Sequence, residues 1–224
     1  MFYKIALDGP SGAGKSTLAK KIAHALGIVY VDTGAMYRTI GLFVTRRGIK
    51  PEDENAVISV LPEIKLSISF ENGEQHILLG EEDVGAFIRT PEISMAASRV
   101  SAIPAVRAFL LDTQRDLAKT TSVIMDGRDI GTVIFPDAEV KIFLTASAEA
   151  RARRRTLELA EKGIPTPYEE VLRDIITRDK NDREREVAPA VAAEDAVILD
   201  NSELDLDGTV DAAIRIIRTR IGEA

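Results

Sequence analysis

Gly9-Pro10-Ser11-Gly12-Ala13-Gly14-Lys15-Ser16-Thr17 matches the phosphate-loop pattern G-x-x-x-x-G-K-[ST], and the residues on either side of it decide the fold. Residues 3–7, Tyr-Lys-Ile-Ala-Leu, read as a buried strand running into the loop. Residues 15–26 read as a helix with apolar positions at Leu18, Ile22, Ala25 and Leu26. In that context the glycines let the backbone pass close to an anion, so that its N–H groups and the positive helix end point at phosphate oxygens. A turn that merely joined two elements would not need Lys15 and Ser16 in register. The pattern therefore points to a nucleoside triphosphate, with Lys15 directed at its β- and γ-phosphates and the Ser16 hydroxyl at Mg²⁺.

Outward from the loop the chain alternates strands and helices. Strands are predicted at 3–7, 28–31, 122–125, 140–144 and 196–199, and helices at 15–26, 34–47, 104–118, 148–162, 167–182 and 207–221. This rhythm is that of an α/β protein of the phosphate-loop NTPase type, a five-stranded parallel sheet with helices on both faces. Residues 66–79 break it, because alternation on both sides of Asn72-Gly73 predicts an antiparallel hairpin, which places about 50–100 in an inserted subdomain. With 224 residues, 45% of them hydrophobic, the chain can bury a full core. It has no cysteine, which excludes a disulfide scaffold and a cysteine zinc site and fits a reducing compartment. No basic-apolar leader and no apolar run near 20 residues is present, so a cytoplasmic protein with no membrane partner is expected. The net charge of −7 argues against a nucleic-acid polymer as partner.

Positive charge is instead local, at three places. Val31-Asp32-Thr33-Gly34-Ala35-Met36-Tyr37-Arg38 lies where the second strand meets its helix, the sheet edge at which ligands of open α/β folds collect. Asp32 and Thr33 are placed to cap that helix, and Arg38, one turn in, to meet an acceptor phosphate. In Val123-Ile124-Met125-Asp126-Gly127-Arg128-Asp129-Ile130-Gly131-Thr132 a buried strand ends in acids flanking an arginine. Asp126 is the candidate to hold a metal-bound water, Arg128 to neutralise phosphate and Asp129 to accept a hydrogen bond from a ligand. Finally, Arg151, Arg153, Arg154 and Arg155 follow a helix start, and Thr166-Pro167-Tyr168-Glu169 reads as a capping box opening a second helix. Such a charged arm suits a mobile lid, with Arg178, Asp182 and Arg185 on one face of its second helix if that helix continues far enough.

Taken together, D-G-P-S-G-A-G-K-S-T, D-T-G-A-M-Y-R, the Ile88-Arg89-Thr90 and Ala97-Ser98 stretch, the helix start from Pro104 to Arg107, D-G-R-D-I-G-T-V-I-F-P-D-A and the tail from Arg178 to Pro189 closely resemble the bacterial cytidylate kinases, in order and over nearly the whole chain. The resemblance implies transfer of a phosphoryl group from ATP to CMP and dCMP by a single domain. That domain would have a core (1–49, 101–150 and 186–224), a monophosphate-binding insertion (about 50–100) and a zinc-free lid (about 151–185). By the resemblance Thr33, Ser98, Arg107 and Asp129 read cytosine, Arg38, Arg128 and Arg185 hold the acceptor phosphate, and Arg178 and Asp182 meet the ribose. Residues 9–17 and Arg154 are then the ATP contacts, Lys15, Arg38, Asp126 and Arg128 the catalytic set, and Mg²⁺ the cofactor. The chain is expected to act as a monomer. The family often has Ser where this chain has Thr33, and either supplies a hydroxyl.

The chemistry is consistent with this reading. A nucleoside monophosphate is already anionic near neutral pH, its second pKa being about 6, so no general base is required, and neither His24 nor His76 is placed to act as one. The transfer needs shielding of crowded negative charge, which Lys15, Mg²⁺ and the arginines supply. A small-alcohol kinase of the shikimate or gluconate type is the alternative, and it would need an acid such as Asp32 as base. A GTPase would need a guanine-reading Asn-Lys-x-Asp motif, which is absent, and a non-catalytic nucleotide sensor would have no use for acceptor-side arginines.

Overall fold

The computed structural model describes residues 2–71, 73–161 and 163–222. In chain order its elements are β1 (Lys4–Asp8), α1 (Lys15–Leu26), β2 (Val29–Asp32), α2 (Thr33–Arg46), α3 (Glu54–Val60), β3 (Leu66–Glu71), β4 (Glu74–Leu79), β5 (Glu82–Asp83), α4 (Pro91–Val100), α5 (Pro104–Asp116), β6 (Val123–Asp126), β7 (Val140–Thr145), α6 (Ala148–Glu161), α7 (Tyr168–Glu184), β8 (Val197–Asp200) and α8 (Leu206–Ile221). A 3-10 turn at Leu61–Glu63 and a π-helical turn at Ile130–Ile134 complete them.

The five expected strands form one parallel sheet in the order β2-β6-β1-β7-β8. Because strand side chains alternate, β1 sends Ile5 and Leu7 to one face and Ala6 to the other. On the first face Leu18, Ile22, Ala213 and Ile217 of α1 and α8 cover the sheet; on the second, Met36, Ile40, Val106 and Leu110 of α2 and α5 do. β1, β2, β6 and β7 are largely buried on both sides, which is why these segments read as continuous apolar runs, whereas β8 at the sheet edge buries Leu199 and leaves Ile198 exposed. The ladder nevertheless reaches past each run: β1, β2, β6 and β8 all end on an aspartate, with Asp32 opposite Asp126 and Asp126 opposite Leu7. Hydrophobicity stops before the carboxylate, but the backbone hydrogen bonding does not.

The hairpin pairs Leu66 with Leu79 and Ile68 with Ile77, and β5 adds a third strand. Asn72 of its turn lies outside the described residues, as does Lys162, the expected end of the helix that runs as α6. The stretch around the hairpin holds more helix than expected. Asp53 caps α3 through the Ala56 N–H, and Thr90 caps α4 through the Ile93 N–H with Pro91 in its first turn. Val57, Ile77, Val84, Ile88, Ile93 and Val100 of this stretch join the core cluster on the second sheet face.

Two local expectations are corrected. Thr166 does not cap α7: Pro167 has extended backbone (φ −58°, ψ 137°), so the helix begins at Tyr168, and the Thr166 hydroxyl donates to the Ile164 carbonyl. Glu169 still stands in the first turn, near the positive helix end. At the far end α7 stops at Glu184 and Arg185 adopts extended backbone, so Arg185 does not share a helical face with Arg178 and Asp182. The charged arm also has a core: Ala152, Leu159, Val171 and Ile175 form a small cluster of their own between α6 and α7.

Candidate active site

Every charged group of interest stands at the carboxyl edge of the sheet. Gly9 opens the phosphate loop at φ +145°, and a Cβ there would lie 2.0 Å from the Leu144 carbonyl oxygen, so no other residue lets the loop leave β1 this close to β7. Ser11, Gly12, Ala13 and Gly14 carry the chain into α1, and Thr17 is exposed on its first turn. Lys15 folds back into the loop, its Nζ donating to the carbonyls of Gly9 and Pro10, both at 2.8 Å. Burial, then the Arg128 charge, hold the Lys15 ammonium below its ordinary pKa, so the loop keeps a cation that an arriving anion would stabilise.

Ser16 donates its hydroxyl to Asp126 Oδ2 at 2.8 Å, and Tyr30, buried beneath, donates to Asp126 Oδ1 at 3.2 Å. Burial and the facing Asp32 carboxylate raise the Asp126 pKa. A hydroxyl and a carboxylate of this kind are hard oxygen donors that suit Mg²⁺. Among the described residues no three His, Cys, Asp or Glu side chains converge as a metal cage.

Asp32 joins β2 to α2. Its Oδ1 caps α2 through the Ala35 N–H at 2.9 Å, and its Oδ2 accepts from Arg38 at 2.7 Å, with Arg89 at 3.7 Å. Thr33 is not a cap; its hydroxyl donates to the Asp126 carbonyl at 2.7 Å, locking β2 to β6 at the site.

Next to them Arg128 Nε donates to Asp182 at 2.9 Å, and the Ser98 hydroxyl approaches the other Asp182 oxygen at 3.5 Å. Burial alone would push the Asp182 carboxyl up, but Arg128, Arg178 and Arg185 together bring it below its ordinary value. Arg107 and Asp129 form a buried ion pair, with Arg185 3.6 Å from the second Asp129 oxygen and the Tyr37 ring 5.6 Å from the Arg107 guanidinium. Arg178 is driven down to about 10 by burial and by Arg128, with Arg38 and Arg155 adding to the repulsion. Three buried guanidinium nitrogens here lack a hydrogen-bond partner: Nε of Arg38, Nε of Arg178 and Nη2 of Arg185. Crowded, underbonded arginines of this kind are what a phosphate would satisfy.

Arg154 lies at the outer end of the phosphate loop, donating to the Asn201 carbonyl at 2.6 Å and to its side chain at 3.2 Å, while Asn201 donates to the Ala13 carbonyl.

The expected residues are thus gathered, but the sequence reading missed their supports. Asp8 accepts from the N–H groups of Ile130 and Gly131, both at 2.8 Å, and so ties the strand before the phosphate loop to the turn after Asp129. Those two bonds form the mouth of the π-helical turn. The signal was present, since Asp8 ends an apolar strand just as Asp126 does. Arg151 donates to the Ser11 carbonyl at 2.8 Å and pairs with Asp179, binding α6 and α7 to the loop. No spacing distinguishes it from Arg153 beside it, which is exposed.

The comparisons with known proteins agree with this geometry. A family model described as cytidylate kinase matches residues 5–219. The chain is 49% identical to the cytidylate kinase of Caldicellulosiruptor saccharolyticus over 97% of its own length and 96% of that protein's, and 46% identical to that of Thermosipho melanesiensis over 97% of each. Among solved structures it shares its fold with an uncharacterized protein from Eubacterium ventriosum (TM-score 0.53, 12% identity, 97% and 99% of the two chains). It shares it too with the shikimate kinase of Bacteroides thetaiotaomicron (TM-score 0.50, 14% identity, 98% of both chains). A phosphate loop, a cluster of arginines beside it and a family match over residues 5–219 all lead to one statement: this chain belongs to the cytidylate kinase family.

Proposed function

We propose that the chain transfers the γ-phosphoryl group of ATP directly, in line, to the phosphate of CMP and dCMP. The observation that carries this is the pair of guanidiniums of Arg38 and Arg185, each with a buried N–H that has no hydrogen-bond partner, beside the phosphate loop. A second anion belongs there, next to the first. Lys15 would leave the Gly9 and Pro10 carbonyls for the β- and γ-phosphates, and Arg38, Arg128 and Arg185 would hold the acceptor phosphate against them. Ser16 and, through water, Asp126 would hold Mg²⁺, which neutralises phosphate charge. No side chain has to take a proton, because the attacking oxygen is already an anion. Cytosine presents a ring carbonyl and an exocyclic amine, which the buried Arg107–Asp129 pair complements as donor and acceptor, with Thr33 and Ser98 close by. Asp182 and Arg178 are left for the ribose, and Arg154 for the outer triphosphate. In this reading the 50–100 stretch serves the acceptor and the α6–α7 arm closes over the donor. The enzyme acts as a cytoplasmic monomer: one chain supplies both sites, the cysteine-free sequence suits a reducing compartment, and no single helix among the described residues is long and apolar enough to cross a membrane.

The small-alcohol alternative needs Asp32 free to act as base. Its two oxygens are instead committed to the Ala35 N–H and to Arg38. A coupled assay of ADP release with CMP, dCMP, UMP, AMP and shikimate tests the reading. CMP and dCMP should be turned over best and shikimate not at all, whereas turnover of shikimate without CMP would reverse the assignment.

A further inference from the structure

β2 is an edge strand of the parallel sheet, paired with β6 on one side only. Alternate residues of an edge strand turn an N–H and a carbonyl outward; Val29 donates inward to Ser122, so Asp32 faces outward and both its groups need partners. At Asp32 both are met by one side chain: the Asp32 N–H donates to Gln75 Oε1 at 2.8 Å, and Gln75 Nε2 donates to the Asp32 carbonyl at 3.3 Å. Gln75 lies on β4, 43 positions away, in the inserted three-stranded sheet. Its primary amide offers the same donor and acceptor as a peptide group, so it extends the main sheet by one surrogate residue. No other hydrogen bond in the described residues joins the hairpin to the carboxyl edge of the sheet.

What Gln75 grips is the junction on which the acceptor side turns. The Asp32 carboxylate caps α2 and holds Arg38, and the next residue, Thr33, locks β2 to β6. Any movement of the hairpin is therefore delivered to the Asp32 backbone, and from there to the guanidinium of Arg38. The apolar contact of Ile77, on the same face of β4, cannot do this with the same precision, because Ile77 packs into a broad cluster without direction.

We propose that Gln75 is a positioning residue, a two-bond latch through which the inserted sheet sets the place of Asp32 and so of Arg38 at the acceptor phosphate. This rests on the phosphorylation reading above for its kinetic consequence, but not for the latch itself. Two variants are suited to the test. Gln75→Met fills the same volume without either bond, and Gln75→Glu keeps the acceptor for the Asp32 N–H while setting a carboxylate against the Asp32 carbonyl.

Steady-state kinetics with CMP and ATP should show the KM for CMP rising about tenfold in Gln75→Met and at least as far in Gln75→Glu, with the KM for ATP held within about twofold. Amide hydrogen exchange of Asp32, measured without nucleotide, should be faster in both variants than in the wild-type protein. An unchanged KM for CMP in Gln75→Met, a Gln75→Glu protein that behaves as wild type, or equal losses for CMP and ATP would each overturn the proposal. If the wild-type protein does not phosphorylate CMP, the function reading fails by itself. The exchange arm then decides the latch: faster Asp32 exchange in Gln75→Met supports it, and unchanged exchange overturns it.

Discussion

Asp129 is a buried carboxylate with a guanidinium at each of its oxygens. Arg107 pairs with one of its oxygens and Arg185 approaches the other, so it is buried without being isolated. In the proposed reaction it accepts a hydrogen bond from the cytosine amine, whereas uracil would set a carbonyl oxygen against it, acceptor opposed to acceptor. Asp129→Asn keeps the shape, leaves an oxygen for Arg107 and turns an NH₂ toward the base, which removes the penalty against uracil and weakens the bond to cytosine at once. The ratio of kcat/KM for CMP over UMP is expected to fall at least about tenfold, equivalent to about 1.4 kcal/mol. Steady-state constants for both substrates in both proteins decide it. Equal slowing with an unchanged ratio would make Asp129 a brace for Arg107 and Arg185 rather than a reader of the base.

Among the elements, α6 and α7 are joined to the phosphate loop by one buried guanidinium. Arg151 reaches the carbonyls of Ala146 and Ser11 and both oxygens of Asp179, so it carries the charge of α7 and the position of the loop together. Arg151→Met should destabilise the protein by about 3–5 kcal/mol, because it strands the Asp179 carboxylate, and adding Asp179→Leu should restore at least half of that. Urea unfolding of the two single variants and the double one gives the coupling. A double variant no better than Arg151→Met would place the cost in the lost carbonyl bonds instead. This contact also marks the limit of what was legible in the sequence. Apolar runs announced all five sheet strands, and the phosphate loop, Asp126, Arg128 and Asp129 followed from their places at strand ends, because periodicity and special residue types are local signals. The same logic missed α3, whose seven residues bury only Val57, and α4, whose Thr90-Pro91 start was plain but lay in the inserted stretch, where only the hairpin was assigned. It set a capping box at Thr166, where Pro167 turned out to stay extended. Asp8 was missed although its place at the end of an apolar strand matches that of Asp126, whereas Arg151 and Gln75 were invisible for another reason: each acts on backbone groups far away in sequence, and a carbonyl or an N–H leaves no mark in the choice of amino acid.

At the scale of the whole molecule the site and the stability of the fold oppose one another, and Asp8 makes the conflict measurable. Its carboxylate must be ionised to accept two N–H bonds at the mouth of the π-helical turn, yet burial raises its pKa from 3.8 to about 6, against the pull of the Gly131 and Ile130 N–H groups, with Asp129 adding repulsion and Lys15 some relief. A carboxyl whose folded pKa lies above its unfolded one holds its proton more tightly in the native state. Its burial therefore costs nothing below the unfolded value of 3.8, costs progressively more as pH rises toward 6, and is fully felt above that. The rise from 3.8 to about 6 corresponds to roughly 3 kcal/mol. Asp8→Asn cannot ionise, so it lacks this slope, although its amide meets only one of the two N–H groups well. Urea unfolding of both proteins at several values between about pH 4 and about pH 7 is expected to show the wild-type advantage over Asp8→Asn shrinking as pH rises, by up to about 3 kcal/mol. A difference that stays constant across that range would mean that Asp8 titrates alike in the folded and unfolded chain. If the difference does shrink, the folded protein keeps a charge at neutral pH that its stability would favour losing, and the one structural return visible for it is the fixed turn that carries Asp129 to the acceptor side.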